Sequence, residues 1–289
     1  MLIAKIILLF FAFLINLGLG ILVYLKVGAH KRINFTFSIL AWSCAGWTLG
    51  FFMVYFFKDD PKILFWGRMG FAASAGIPAA FLCFALLFPG EQRRLSSTTL
   101  ILFFLPAILF LVLSLTNQII SSLGAGPRMF LYGPSYRFFS IYLISYIFLG
   151  FYFLIRTYRK SIGVARLQIK YCFLGMVLTA SSAVTTNIFL PMAGISKFNW
   201  LGPSFTVFYV GFVTYSIVKH RLMDIDIVLK KGTTYIFLML ALFIPSAILI
   251  LVSQNFFFQK INYLFSAIIF SILFLVAIFF HRIKPGTEK

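Results

Sequence analysis

The residues of this sequence that could do chemistry are the polar groups that interrupt long apolar runs, because a charge or hydroxyl held in hydrocarbon is costly. Arg68 stands about five residues into the run that begins at Ile63, roughly 7.5 Å along a helix. It is followed by Ser74 and the kink-forming Pro78. Its guanidinium can snorkel to the outer interface, or face the bundle and bind an anionic head group or the carboxylate of an amphiphile. A second cluster, TASSAVTTNIF, holds Thr179, Ser181, Ser182, Thr185, Thr186 and Asn187. Thr179, Ser182 and Thr186 recur at spacings of three and four, which puts them on one helix face with Asn187 beside it. Small hydroxyl residues let helices approach and bond across the contact. If that face meets Arg68 near the outer leaflet, the two form a polar ligand pocket capped by Trp47 or Trp200.

Catalytic constellations are missing. The chain has only 6 Asp and Glu, and Asp59, Asp60, Glu91 and Glu288 fall in connections or the tail. There is no GxxxxGK[ST] phosphate loop, no HExxH, no GxSxG, and no mid-run Lys suited to a retinal-type Schiff base. His30, His220 and His281 each have basic neighbours and read as interfacial residues. Cys44, Cys83 and Cys172 lie far apart inside apolar runs, without ligand spacing, and read as core thiols. The expectation is therefore no enzyme, no metal and no cofactor.

The elements that carry these residues follow from composition. Of 289 residues, 62% are apolar and 11% charged, with 39 Phe and a mean hydropathy of +1.01. A soluble domain is about half apolar and a quarter charged, so the solvent is a bilayer. The formal charge of +19 would suggest nucleic acid in a soluble chain, but the basic residues fall between apolar runs and read as topology signals. No nucleic-acid partner is expected.

Spanning a core about 30 Å thick takes about 20 apolar residues. Nine runs qualify: Leu2 to Leu25, Phe35 to Phe57, Ile63 to Phe88, Thr98 to Leu115, Phe138 to Ile155, Ile169 to Leu190, Leu201 to Val218, Tyr235 to Val252 and Tyr263 to Phe280. The predicted fold is an all-α, polytopic transmembrane bundle. Of the 25 Lys and Arg, 17 fall after the odd-numbered spans and 8 on the other side. Positive charge stays cytoplasmic, which places the N-terminus outside and the C-terminus in the cytoplasm. The one long connection, Asn117 to Tyr136, is rich in Gly and Pro. The basic inner rim would hold anionic membrane lipid or an acidic protein partner.

The connection KHRLMDIDIVLKKGTTY, Lys219 to Tyr235, places Leu222, Ile225, Val228 and Leu229 on one face of an interfacial helix with basic ends. Asp224 and Asp226 are two apart, so they point to nearly opposite sides and form no acid–base pair. They can pair with Arg221 and Lys230. This linker, with Arg221, Asp224, Asp226, Lys230 and Lys231, is the candidate lever that carries a change in span packing to the cytoplasm.

The same segment, extended to YSIVKHRLMDIDIVLKKGTTY (Tyr215 to Tyr235), resembles the end of the seven-helix N-terminal sensory region of bacterial membrane histidine kinases. WTLG (Trp47 to Gly50), FWGRMGF (Phe65 to Phe71), FALLFPGE (Phe84 to Glu91) and ARLQIKY (Ala165 to Tyr171) resemble its second, third and sixth helices. The resemblance covers roughly residues 1 to 235 and implies a sensory region at 1–220 and the linker at 221–234. Two further spans follow at 235–280, then a short cytoplasmic tail at 281–289. Kinase activity is not carried over, since only HRIKPGTEK follows Phe280. The expected function is a receptor-like sensor in the bacterial inner membrane that signals to a separate cytoplasmic effector. The alternatives are an accessory subunit of a membrane complex, or a transporter of a lipophilic or anionic solute using Arg68 and the hydroxyl face.

Overall fold

The computed structural model describes residues 2–25, 31–89, 96–124, 126 and 128–220. The expected linker, with Arg221, Asp224, Asp226, Lys230 and Lys231, and the two runs beyond it lie outside the described residues. The elements are α1 (Leu2–Tyr24), α2 (Lys31–Phe56), α3 (Asp60–Ser74), α4 (Gly76–Leu87) and α5 (Ser97–Ser114). A hairpin of β1 (Ile120–Leu123) and β2 (Phe130–Tyr132) follows. Then come α6 (Tyr136–Lys160), α7 (Gly163–Val184), a π-turn (Thr185–Phe189), α8 (Leu190–Met192) and α9 (Leu201–His220). Taking α3 with α4, and α7 with the π-turn and α8, as interrupted rods, the described residues form seven rods on the first seven apolar runs. Five of them are long and apolar enough to cross a membrane: Leu2–Tyr24, Lys31–Phe56, Asp60–Leu87, Tyr136–Lys160 and Gly163–Met192.

Local chemistry sets the rod ends and breaks. Pro61 sits in the first turn of α3, where its missing N–H costs nothing. Ser96 caps α5 by accepting from the Thr99 N–H at 3.1 Å, satisfying one of the first-turn donors. Pro78 cannot donate to the carbonyl four residues before it and its ring crowds that turn, so the rod breaks at Ala75, between α3 and α4. The Gly-rich connection departs from the all-α expectation. Ile120 pairs with Tyr132 and Leu123 with Phe130, antiparallel, with an irregularity between Ile120 and Ser122.

Rod α2 is central: it packs on α1, α3 and α4, while α4 packs on α6, and α9 joins α7 to α1. Close approach is built in at Gly50, where a Cβ would come within 2.4 Å of the Gly70 Cα. Small residues at such crossings replace the hydrophobic drive that lipid cannot supply. The core runs through Phe51, Phe71, Phe110, Tyr136, Phe139 and Tyr142. Much of the described surface is apolar as well. On α5, Ile101, Leu102, Leu105, Ile108, Leu109 and Val112 are exposed, as are Phe138, Ile141 and Phe148 on α6. Continuous apolar surface on this scale fits lipid and not water. The three cysteines are free and buried.

Candidate functional site

Two helix breaks are each braced by a tyrosine of α6. The Tyr142 phenol donates to the Ala75 carbonyl at 2.9 Å, at the α3–α4 break. On α7, Pro191 leaves the Asn187 carbonyl, four residues earlier, without its α-helical donor, and the Tyr136 phenol donates to that carbonyl instead. The extra residue accommodated by the π-turn changes which side chains face inward. On an unbroken helix Asn187 would stand about 80° around from Thr179; the wider turn sets it back toward the Thr179 face.

Between the breaks lies a cavity of about 70 Å³. Its walls come from α2 (Cys44, Trp47), the α3–α4 rod (Phe71, Ser74, Ile77, Phe81), α6 (Tyr136, Phe139, Leu143, Ile147), α7 with the π-turn (Met176, Thr179, Asn187) and α9 (Tyr209). Most of the lining is hydrocarbon. Of the polar groups, Ser74 donates to the Phe71 carbonyl at 2.8 Å and Thr179 to the Phe205 carbonyl at 2.9 Å. Asn187 Nδ2 donates to Thr186 Oγ1 at 2.9 Å. That orientation of the amide is forced, because Thr186 spends its own hydrogen on the Ser182 carbonyl at 2.8 Å and can only accept. Asn187 Oδ1 and Tyr209 Oη are buried without a hydrogen-bond partner.

The helices are held tightly at this point. A Cβ on Gly175 of α7 would come within 3.0 Å of the Tyr209 Cα, and one on Gly202 within 2.2 Å of Asn187 Nδ2. The Tyr209 ring packs on Phe37 at a centroid distance of 5.8 Å. One turn away, Asn16 of α1 donates to Thr206 of α9 at 2.8 Å, deep in the bundle.

Of the residues singled out from sequence, Trp47, Ser74, Thr179 and Asn187 line the cavity together. Ser182 and Thr186 do not; the Thr186 hydroxyl donates to the Ser182 carbonyl. Arg68 is elsewhere: its guanidinium donates to the carbonyls of Ile120 and Ser121, each at 3.1 Å, and to Asn117 Oδ1. It does not line the cavity with the hydroxyl face; it ties the hairpin to α3. Arg128 ties the other side, donating to the carbonyls of Val54, Tyr55 and Phe57. Trp200 lies under Lys5, whose Nζ is 5.2 Å from its ring. Among the described residues no cation lines the cavity, so Arg68 and the hydroxyl face do not meet there. Tyr136 and Tyr209 were missed from sequence because tyrosine counts as apolar in a hydropathy reading. A phenol in mid-run is the signal that could have flagged them.

The hairpin packs on this cavity's aromatic wall. Tyr132 stacks on Tyr136 with centroids 4.0 Å apart and accepts from Asn199 Nδ2 at 3.3 Å. Burial pushes the Tyr132 phenol up to about 12. A second hollow, about 390 Å³, lies at the opposite end between α6 and α7, lined by Ile155, Tyr158, Arg159, Ile169, Lys170, Phe173 and Leu174. Among the described residues no group of three or more His, Cys, Asp or Glu could hold a metal.

A family model described as the N-terminal 7TM region of histidine kinase matches residues 8–226. No curated protein and no solved structure matches the chain.

Proposed function

The chain belongs to the family of N-terminal 7TM regions of histidine kinases, a multi-pass membrane protein with a sensory role, and on that premise we propose how it senses and signals. The stimulus acts on the packing of α3–α4, α6, α7 and α9 around the interior cavity. The change leaves through α9 into the 221–234 linker, where Arg221, Asp224, Asp226, Lys230 and Lys231 present it to a cytoplasmic effector protein. The observation that carries this reading is the cavity: it lies inside the family-matched region, between two helix breaks, with one wall on the helix that enters the linker. A packed core with two interrupted rods is the kind of element that switches between discrete arrangements. A stimulus shifts it only as far as it prefers one arrangement.

In the full proposal the chain has nine spans, with its N-terminus outside and its C-terminus in the cytoplasm, in a bacterial inner membrane. Lys5 and Arg128 both stand by the Tyr55 ring and Arg68 is bonded to the hairpin; the greater number of Lys and Arg in the connections after the odd-numbered runs supports that orientation. The hollow beside Arg159 and Lys170 supports anionic lipid at the inner rim. The reading is tested by purifying the tagged chain from its native membranes with its co-eluting proteins and measuring effector output for wild type, Arg221→Glu and Asp224→Lys. A co-purifying signalling protein whose output changes with charge reversal supports it. No signalling partner, or an output indifferent to both substitutions, overturns it.

A further inference from the structure

We propose that the hollow between α6 and α7 is a site for one anionic glycerophospholipid, its phosphate held by Arg159 and Lys170 and its acyl chain laid on Ile169, Phe173 and Leu174. The proposal rests on the reading of anionic lipid at the inner rim and narrows it from a diffuse attraction to one place and one head chemistry.

The hollow, about 390 Å³, lies near the place where the two rods join. Rod α6 closes at Lys160 and α7 opens at Gly163, where the chain turns with a φ of 59°. From α6 come Ile155, Tyr158 and Arg159, and from α7 come Ile169, Lys170, Phe173 and Leu174. Each set is spaced as one helix face is. The Tyr158 ring carries the Arg166 guanidinium 4.7 Å from its centroid. Arg159 stands next to the last residue of α6, where a long basic side chain reaches the head-group layer. Charge here is one-sided. From Arg156 to Lys170 the chain carries Arg156, Arg159, Lys160, Arg166 and Lys170 and no acid. Among the described residues the only acids are Asp59 and Asp60, at the entry to α3, and neither lines the hollow. Arg159 and Lys170 are both exposed, so a ligand can reach them.

The chemistry of the occupant follows from that inventory. Two cations without a carboxylate call for an anion. The guanidinium fork of Arg159 matches two phosphate oxygens, and Lys170 supplies a point charge. The rest of the wall, Ile155, Ile169, Phe173 and Leu174, offers a hydrated ion nothing and takes hydrocarbon. An anionic head joined to an acyl chain satisfies both halves, and basic pockets between spans on the inner side of a membrane are where such head groups settle. The volume falls within the roughly 300–1,000 Å³ of small-molecule sites. It has room for a head group and the upper part of one chain, with the rest of the lipid in the bilayer. A zwitterionic head brings its own cation to a place that already has two, so it binds less well. An occupied site ties α6 to α7, the helix that leads into the π-turn and forms one wall of the interior cavity.

The test uses the full chain in mild detergent and native mass spectrometry, with palmitoyl-oleoyl phosphatidylglycerol and phosphatidylcholine as probes of equal chain length. Expected is one retained phosphatidylglycerol, held about tenfold more tightly than phosphatidylcholine. Arg159→Gln with Lys170→Gln should weaken it about tenfold. Arg156→Gln with Lys160→Gln, the same loss of charge outside the hollow, should change it less than about twofold. Inorganic phosphate at millimolar concentration should leave the lipid in place. Equal effects of the two pairs, no preference for the anionic lipid, or displacement by inorganic phosphate would overturn the proposal. So would retention that appears only when Asp224→Asn and Asp226→Asn remove the linker acids, which would give the hollow to the chain's own linker. If lipid is retained as expected while effector output ignores the linker charge reversals, the site stands and the sensor reading falls. If output responds to the reversals and both pairs weaken retention alike, the site falls alone.

Discussion

Replacing Tyr136 with Phe isolates one hydrogen bond at the wider of the two breaks. The ring keeps its stack on Tyr132 at 4.0 Å and its contact with Phe71, so the loss is confined to the phenol that donates to the Asn187 carbonyl. Leaving a buried carbonyl without a partner costs about 1–3 kcal/mol. The expected loss is about 1.5 kcal/mol, a factor of roughly ten in the unfolding equilibrium. The cause of the bond can be tested as well as its strength. Pro191 is what denies that carbonyl its ordinary donor, so Pro191→Ala offers a backbone N–H in place of the phenol. In the Pro191→Ala background, Tyr136→Phe should cost less than 0.5 kcal/mol, a coupling of about 1 kcal/mol in the double-mutant cycle. The assay is reversible unfolding of the full chain in mixed micelles titrated with SDS. Additive effects within about 0.3 kcal/mol, or a Tyr136→Phe variant as stable as wild type, would refute the argument that the phenol substitutes for the missing proline donor.

The remaining expectations concern packing, intramembrane polarity and the hairpin. Gly50→Ala puts a methyl 2.4 Å from the Gly70 Cα and should cost about 2 kcal/mol or more; Gly18→Ala, with nothing within 4 Å, should stay within about 0.5 kcal/mol in the same unfolding assay. Asn16→Ala and Thr206→Val each remove the α1–α9 bond of 2.8 Å; the expected coupling between them is about 0.6 kcal/mol, the usual size inside a membrane bundle. Arg68→Ala strips three hydrogen bonds from the loop between 117 and 121 and should speed limited proteolysis there about tenfold; an unchanged cleavage rate would count against that role. The Tyr132 phenol, raised from 10 to about 12 by burial, stays protonated in the folded chain after it would ionise in the unfolded one. Its contribution to stability is therefore complete below about pH 10 and declines as the pH rises to 12. Tyr132→Phe should flatten that decline in unfolding curves taken between pH 9 and 12, and an unchanged slope would count against the assignment.

Much of the frame was legible in the chain because it depends on short windows of sequence. Apolar runs of span length register the rods, since a backbone in hydrocarbon must satisfy itself within a helix. Pro78 announced a break in its own rod, because a missing N–H acts on the turn just before it. The hydroxyl-rich stretch from Thr179 to Asn187 stood out because polar groups interrupt its apolar run. The family was legible from the Tyr215 to Tyr235 pattern, which the family match to residues 8–226 bears out.

What the tertiary structure decided is which of those groups meet. A face counted at 3.6 residues per turn put Ser182 and Thr186 beside Thr179. The π-turn at Thr185–Phe189 changes the count beyond Val184, and Asn187, expected beside that face, lines the cavity while Thr186 does not. Arg68 looked like a free charge because its partners, Asn117, Ile120 and Ser121, lie about 50 residues ahead in a hairpin that only long-range contacts stabilise. Tyr136 and Tyr209 count as apolar in any window, and their phenols acquire meaning only from what lies across the bundle: a carbonyl orphaned by Pro191 for one, a cavity for the other. Hydropathy is additive along the chain and so survives in the sequence. Side-chain direction depends on helix register and on the neighbouring rods, and it exists only once the bundle has formed.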